Sequence, residues 1–492
     1  MSTSVAVQEI SIQELLQAYR ERRTTVRAVV EEYLGRIETL DRSGPGLNSI
    51  VTTNEDALTR ADELDAYLGE FGELAGPLHG VVVAVKDNID TVDMDTTCGS
   101  EALRGHRPER DAVAVARLRA AGAVIISKTT LPDFATSWFS YSSVSGETRN
   151  PHCLNHDPGG SSSGSAAAVS ANLATVALGT DCGGSVRLPA SFCNLVGIRS
   201  TPGVVPRTGT GFLVEFQDTV GPLARSVEDA VTVFDVIAGY DEGDDFSVAA
   251  TMAQPPVSYM ASLGDRSVAG ARIGLVTNAL GSEADPRSAA VNALTRQAAE
   301  DLRAAGAEVV EVEIPDLDEF LVDTSQYVAC SRHDIDLYLK QRPALSDLRV
   351  ADVVARGRYH RELDLLEAVS AGPEAPESDP DYTGRFVARD RFTRVILKVM
   401  DQHGLDALTY PTTRVPAPSN EERKEWTVLS FPTNTLIASQ ALLPSITVPA
   451  GFTDAEVPVG IELVGRPYSE ADLFSWAAGY EKQSRHRRAP AL

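Results

Sequence analysis

Lysine is nearly missing from this 492-residue chain. Six are present, at positions 86, 128, 340, 398, 424 and 482, so arginine supplies almost all of the 44 positive charges. Positive charge is itself short, because 69 acidic residues leave a net charge of −25. Such a surface repels phosphate backbones and anionic lipid and offers no basic stripe, which sets nucleic-acid binding aside. The five cysteines (Cys98, Cys153, Cys182, Cys193, Cys330) are scattered and form no C-x-x-C pair, so reduced thiols are expected rather than a disulfide framework. No window of about 18 uninterrupted apolar residues occurs. The N-terminal MSTSVAVQEISIQELLQAYRERR also lacks an apolar core behind a positive start, and a soluble, cytoplasmic protein without a membrane partner is the expectation. The eight histidines include no H-E-x-x-H. His152 and His156 have a spacing that could grip a metal on a helix, but Pro151, Asn155 and Pro158 make the segment a loop, and no metal is expected. No S-x-x-K occurs, which argues against a penicillin-binding type of Ser–Lys site.

What is there is globular: 43% apolar and 23% charged residues, in a chain long enough to bury a large core. Ser11 with Glu14 has capping-box spacing and opens a helix carrying Leu15, Leu16 and Tyr19. Val26, Val29, Val30, Tyr33, Leu34 and Ile37 form the apolar stripe of a second helix, ended by Gly44-Pro45-Gly46, and a third, charged helix is expected near 55–70. Gly80-VVVAV-Lys86 has the look of a buried strand. Alternation follows. Helices are predicted at 111–121, 165–173, 226–238 and 287–305, and strands at 124–126, 174–180, 272–277, 307–313, 405–410 and 444–449. This predicts an α/β layered fold with a largely buried sheet. The stretch 315–402, helical, charged and broken by Pro343, Gly372, Pro373 and Pro376, is read as a peripheral insertion that shapes access to the site.

Between Gly159 and Pro189 the chain reads GGSSSGSAAAVSANLATVALGTDCGGSVRLP, two glycine-serine clusters joined by an apolar stretch. A flexible linker would lack that Ala/Val/Leu run, which can bury itself as a helix and a strand, so the serines are held. Upstream stands Lys86, at the end of an apolar strand, where desolvation could leave a lysine neutral; an arginine could not lose its proton. A pairing of Lys86 with Asp87 or Asp90 at the strand end is the plainer alternative. Three accounts of the clusters compete. Phosphate cradling fails because no Gly-Lys-Ser/Thr follows either cluster. A nucleophile elbow is matched by Gly160-Ser161-Ser162-Ser163-Gly164 with Ser162 as nucleophile, but the preceding segment carries two prolines and cannot be the strand an elbow needs. The third account makes Ser185 the nucleophile, Ser161 a relay and Lys86 the base, with the small residues of Asp181-Cys182-Gly183-Gly184 aiming backbone N–H groups at a developing oxyanion.

These residues resemble the amidase signature family of serine hydrolases. The likeness runs through Gly76-Pro77-Leu78-His79-Gly80 to Val85-Lys86-Asp87-Asn88, Gly122-Ala123, Lys128-Thr129, Thr148-Arg149-Asn150-Pro151, Pro158-Gly159-Gly160-Ser161-Ser162 and Gly179-Thr180-Asp181-Cys182-Gly183-Gly184-Ser185-Val186-Arg187-Leu188-Pro189. Tyr410-Pro411-Thr412 and Pro458-Val459-Gly460-Ile461-Glu462-Leu463-Val464-Gly465 fit the family's closing strands, so about residues 10–485 are covered. The resemblance implies one α/β domain over 1–492 around a single large mixed β-sheet layered between helices, with N-terminal helices of about 8–70 packed on the core. It implies a Ser–cisSer–Lys triad of Ser185, Ser161 and Lys86, a cis Gly160–Ser161 peptide, oxyanion-hole positions at Cys182, Gly183 and Gly184, and no cofactor. Asp181 and Arg187 match a supporting pair, for which a purely structural ion pair stays open, and Ser162 supports the same loop.

Ser137-Trp138-Phe139-Ser140-Tyr141 departs from the subunits that hydrolyse glutamine for tRNA amidation, which resemble this chain but carry small and polar residues there. At this point the chain is more similar to fatty-acid amide hydrolase, and aryl acylamidases and urethanases belong to the same comparison. Trp138, Phe139 and Tyr141 are therefore expected to line a pocket for an apolar or aryl group, with core packing as the alternative. Trp426, Phe431 and Cys330 fall in regions the family uses for pocket walls. The expected activity is hydrolysis of amides, and by the same tetrahedral route carbamates, by a monomer or homodimer that acts on small molecules. The alternative is a glutamine-hydrolysing subunit of a tRNA-dependent amidotransferase.

Overall fold

The structure is a computed structural model describing residues 5–252, 258–264 and 267–492. At its centre is a mixed sheet of eleven strands: β1 (Ile50–Thr53), β2 (Val82–Lys86), β3 (Val124–Thr129), β4 (Val176–Thr180), β5 (Val196–Arg199), β6 (Val220–Ala224), β7 (Arg272–Val276), β8 (Glu308–Val312), β9 (Ala407–Pro411), β10 (Ser445–Phe452) and β11 (Pro458–Val464). Their spatial order is β1-β3-β2-β4-β6-β5-β10-β11-β9-β7-β8. β2 runs parallel to β3 and β4, and β9, β7 and β8 run parallel to one another. The middle of the sheet and the β1 edge are antiparallel. The expected α/β fold with one large mixed sheet between helices is what the chain forms.

Successive side chains of a strand point to opposite faces, and β2 shows how both faces are filled. Val83 and Val85 join a cluster with Val115, Val231, Ala299 and Phe474, from helices Val113–Ala120, Val227–Ile237, Pro286–Ala304 and Glu470–Ser484. Val82 and Ala84 face the other way, into a cluster with Tyr33, Leu64, Ala168 and Ala190. The N-terminal helices of this second layer, Ile12–Arg20, Val26–Arg36 and Ala57–Phe71, are the three the sequence predicts. Ser11 and Glu14 make both bonds of the capping box. The second helix ends in a π-helical turn, Ile37–Asp41, which keeps Ile37 buried.

Three strands of this sheet are missing from the sequence reading: β1, β5 and β6. β6 carries Pro222, which has no N–H for a ladder. Its register explains how it fits: β6 pairs with β4 along Val220–Leu223, whereas β5 reaches only Leu223 and Ala224. In the stretch 315–402, Pro343 and Pro376 open 3-10 turns and Gly372 caps helix Asp364–Ala371. One of its helices, Tyr327–Lys340, is not peripheral. Tyr327 and Tyr338 lie in a cluster with Trp138, Cys182 and Phe192. Asp334 Oδ2 accepts from the Glu215 N–H at 2.8 Å, and Tyr338 donates to Asp90 Oδ1 at 3.1 Å.

Candidate active site

Parallel pairing of β2 with β4 brings their carboxyl ends together, and so places Lys86 beside Thr180. Lys86 is fully buried, and its Nζ lies 2.7 Å from Ser161 Oγ, 2.8 Å from Thr180 Oγ1 and 3.4 Å from the Thr180 carbonyl oxygen. The alternative pairings are taken by other cations: Asp87 lies 3.2 Å from Lys128, and Asp90 pairs with Arg342. Burial pulls the Lys86 ammonium down to about 7, against the opposing pull of Asp218 and Asp181. Near neutrality this lysine is therefore available as an uncharged amine. Asp218 Oδ2 accepts from the Leu213 N–H at 3.0 Å, and burial raises its carboxyl.

Ser161 follows Gly160 through a cis peptide bond, as the resemblance implies. Gly160 is held to glycine by its surroundings: a Cβ there would meet the Ser137 carbonyl oxygen at 2.7 Å. Ser161 receives its hydrogen bond from Lys86, and no hydrogen bond of ordinary geometry joins it to Ser185. Catalytic hydrogen bonds often tighten only once substrate is in place. Ser185 is 5% exposed and its carbonyl oxygen accepts from Ser162 N–H at 3.1 Å. Ser162 is fully buried and its hydroxyl donates to the Thr180 carbonyl at 3.3 Å, so it braces the loop rather than facing the pocket.

The segment before Ser185 is held by its flanks and left open along its backbone. Among the described residues, the N–H groups of Cys182, Gly183, Gly184 and Ser185 donate to no protein acceptor, an arrangement able to receive a negative oxygen. The Cys182 carbonyl is fixed by Gln217 Nε2 at 2.7 Å, and burial keeps the Cys182 thiol protonated. Gly184 has φ +142°, and a Cβ on it would lie 2.1 Å from Thr435 Oγ1. Asp181 and Arg187 do pair, Nε to Oδ2 at 3.1 Å and Nη2 to Oδ1 at 3.0 Å, but within a larger buried network. Arg187 Nη1 reaches Glu462 Oε2 at 2.6 Å, and Arg199 Nη1 lies 3.0 Å from Asp181 Oδ1. Burial pushes the Asp181 carboxyl up, yet Arg187 and Arg199 outweigh it and hold the group well below the usual carboxylate range.

A small cavity of about 10 Å³, room for about one water, opens beside Ser185. Its walls include Trp138, Cys182, Gly183, Leu213, Tyr327 and Val428. Of the three aromatic residues expected there, Trp138 lines it, with its Nε1 donating to the Val428 carbonyl at 2.8 Å. Phe139 and Tyr141 are not in the wall. Phe139 packs edge-on against Phe431, and Tyr141 stacks on His360 under Arg423. The Ser140 hydroxyl, bonded to Asp157 at 3.1 Å, anchors the turn that points these rings away. Trp426 touches Phe431 and lines a separate surface groove, and Cys330 is buried against Gln326. His152 and His156 do not converge: one meets Ser170 Oγ, the other Asn155 Oδ1. Among the described residues no group of three or more His, Cys, Asp or Glu could hold a metal, and no helix is long and apolar enough to cross a membrane.

Sequence reasoning missed Thr180, Arg199, Tyr327, Thr435 and Glu462. Thr180 and Glu462 lie inside stretches that resemble the family; the other three come from segments with no motif.

Comparison with known proteins shows the family and the fold. The family model described as Amidase matches residues 28–474. The chain is 35% identical, over 482 residues covering 94% of it and 95% of the relative, to a glutamyl-tRNA(Gln) amidotransferase subunit from Symbiobacterium thermophilum. Among solved structures, the native peptide amidase from Stenotrophomonas maltophilia superposes with a TM-score of 0.86 at 36% identity, covering 98% of both chains. A bacterial aryl acylamidase shares the fold, with a TM-score of 0.82 at 24% identity over 96% of each chain.

Proposed function

The chain belongs to the amidase family of amide-hydrolysing enzymes, and from that premise we propose that it cleaves amides and aryl carbamates bearing an apolar or aryl substituent through an acyl-enzyme on Ser185. In this reading neutral Lys86 takes a proton from Ser161, which takes one from Ser185, and Ser185 Oγ attacks the carbonyl carbon. The oxyanion that forms is received by the N–H groups of Cys182, Gly183 and Gly184. The relay then returns the proton to the leaving nitrogen, the C–N bond breaks, and water releases the acyl group along the same path. Asp181, Arg187 and Ser162 hold the loop that presents these groups. What carries the reading is the buried Lys86–Ser161 contact at 2.7 Å beside a run of unpaired backbone N–H groups. The enzyme works as a monomer or homodimer in the cytoplasm, on small molecules and without a cofactor.

One observation favours a second reading, a glutamine-hydrolysing component of an amidotransferase complex: the 35% identity to such a protein. Against it stands Trp138, an apolar wall beside Ser185 where an amino-acid substrate would want polar partners. The test is release of 4-nitroaniline by the purified chain alone from an aryl amide and an aryl carbamate, with Ser185→Ala beside it. Turnover lost in the variant supports a self-sufficient hydrolase. Absence of turnover, with glutaminase activity appearing only in the presence of partner chains, would establish the second reading.

A further inference from the structure

The wall beside Ser185 contains one polar group with nothing to bond to. Tyr327 is 3% exposed, its hydroxyl has no hydrogen-bond partner, and it lines the cavity together with Ser185, Gly183 and Trp138. The hydroxyl lies close over the candidate oxyanion loop, since a Cβ built on Gly183 would stand 1.9 Å from Tyr327 Oη. Burial raises the phenol well above its ordinary value, so the group stays an O–H donor across the working pH range. A buried hydroxyl with no protein partner keeps its hydrogen to donate to whatever enters the cavity. On the neighbouring wall Leu213, Leu365 and Val428 present apolar side chains, the Trp138 indole N–H is a donor already spent on the Val428 carbonyl, and the Ser137, Cys182 and Ser185 side chains that also line it make no hydrogen bond to Tyr327. With no protein group bonded to it, the hydroxyl is free to meet an acceptor on the substrate.

The reacting group narrows which acceptor this is. On the proposed function above, on which this inference rests, the carbonyl oxygen is met by backbone N–H groups and the carbonyl carbon by Ser185. The acceptors that remain for a donor beside the carbonyl are the atoms bonded to the carbonyl carbon, and the one on the acyl side differs between substrates. In an amide that atom is carbon and leaves Tyr327 unpaired. In a carbamate it is oxygen. We propose that Tyr327 is a specificity residue whose hydroxyl donates to the alkoxy oxygen of a carbamate, so that this site is built for urethanes in preference to amides. Sites that hydrogen-bond a substrate oxygen reject the isostere lacking it, because their own polar group is left unpaired. Cleavage of such a carbamate frees the amine, which takes the relayed proton, and leaves an alkoxycarbonyl group on Ser185; water transfers it off as a carbonate monoester that falls apart to alcohol and carbon dioxide.

Ethyl N-(4-nitrophenyl)carbamate and 4-nitrobutyranilide differ only in an oxygen replacing a methylene, and both release 4-nitroaniline. With Tyr327→Phe, kcat/KM for the carbamate is expected to fall about 10- to 100-fold while that for the butyranilide holds or rises. An equal fall on both overturns the proposal, since it would mean that Tyr327 serves the shared carbonyl oxygen or the fold. An unchanged carbamate rate overturns it as well. Wild-type protein inactive on both substrates overturns the hydrolase reading and this inference with it, whereas an amide-active wild type unaffected by the substitution overturns the inference alone. The hydroxyl makes no protein hydrogen bond, so the melting temperature of the Phe variant should match or exceed that of the wild type; a variant that unfolds would show the hydroxyl to be structural and count against the proposal.

Discussion

Arg187 and Glu462, 275 residues apart in the chain, meet at 2.6 Å with neither side chain exposed to solvent. The contact ties the start of helix Arg187–Phe192, just after Ser185, to β11. Arg187 Nε and Nη2 meet Asp181, and Nη2 also lies 3.0 Å from the Thr435 carbonyl oxygen and 2.6 Å from Ser439 Oγ, so each of the three guanidinium nitrogens has an acceptor. Removing one member leaves buried charge unpaired, which costs about 3–5 kcal/mol. Glu462→Gln and Asp181→Asn should each lower the melting temperature by many degrees, and Arg187→Lys should fare no better because an ammonium cannot reproduce the fork. Asp181 adds a pH dependence. Its carboxyl titrates below the unfolded value of 3.8, so its stabilisation is present above that pH and lost as the pH falls toward the lowered value. Asp181→Asn should therefore flatten the acid limb of the stability curve; an acid limb identical to that of the wild type would show the network to be dispensable.

The three neighbouring serines separate by position. Ser185→Ala removes the proposed nucleophile and Ser161→Ala the hydroxyl bonded to Lys86, and each should reduce kcat by about 10⁴-fold or more. Ser162 spends its hydroxyl on the Thr180 carbonyl, so Ser162→Ala should keep most activity and lose about 1 kcal/mol of stability. An elbow-type enzyme would show the reverse order, with Ser162→Ala dead and Ser185→Ala alive.

Glycine is required at two adjacent positions for different reasons. At Gly183 a methyl group would collide with Tyr327 Oη and come within 2.7 Å of Trp138 Cη2, and at Gly184 both the +142° φ and Thr435 oppose any side chain. Gly183→Ala should displace the cavity wall and depress kcat with the fold intact. Gly184→Ala should cost stability too, seen as a lower melting temperature. Full activity in both would mean that this backbone does not contact the reacting carbonyl.

The sequence made Lys86, Ser161 and Ser185 legible because each sits in a motif whose small residues leave a chemical signature. The alternating strands and helices were legible for the same local reason, since periodicity is carried by neighbours. What escaped was set by distance along the chain. Arg199 looks like any arginine until β5 is known to pair with β10 and present it to Asp181. Tyr327 lies in a stretch read as peripheral, and only its packing against Gly183 makes it part of the site. The Trp138, Phe139 and Tyr141 expectation shows the limit of composition. Three aromatics within four positions cannot all face one cavity when the chain turns between them, and a turn anchored by Asp157 sent two of them into packing.

Lys86 joins activity to stability with opposite signs. As a base it must be neutral, so kcat/KM should rise with pH through about 7 and level off above, and that limb should vanish in Lys86→Met along with most of the rate. For folding, the buried amine is a burden. Its pKa falls from 10.5 in the unfolded chain to about 7 in the folded one, so between those values the unfolded state binds more protons and stability rises with pH. Below pH 7 the folded protein must bury the charge or discard its proton, and the penalty is complete. Lys86→Met, apolar and of similar length, should therefore melt higher than the wild type at pH 6, by a margin that narrows toward pH 10. Asp218 offers an independent handle, because its negative charge favours the protonated lysine. Asp218→Asn should lower the Lys86 pKa further and move the rate limb to more acidic pH. If the limb stays in place in Asp218→Asn and persists in Lys86→Met, the titrating group is not Lys86, and the base must be sought elsewhere in the site.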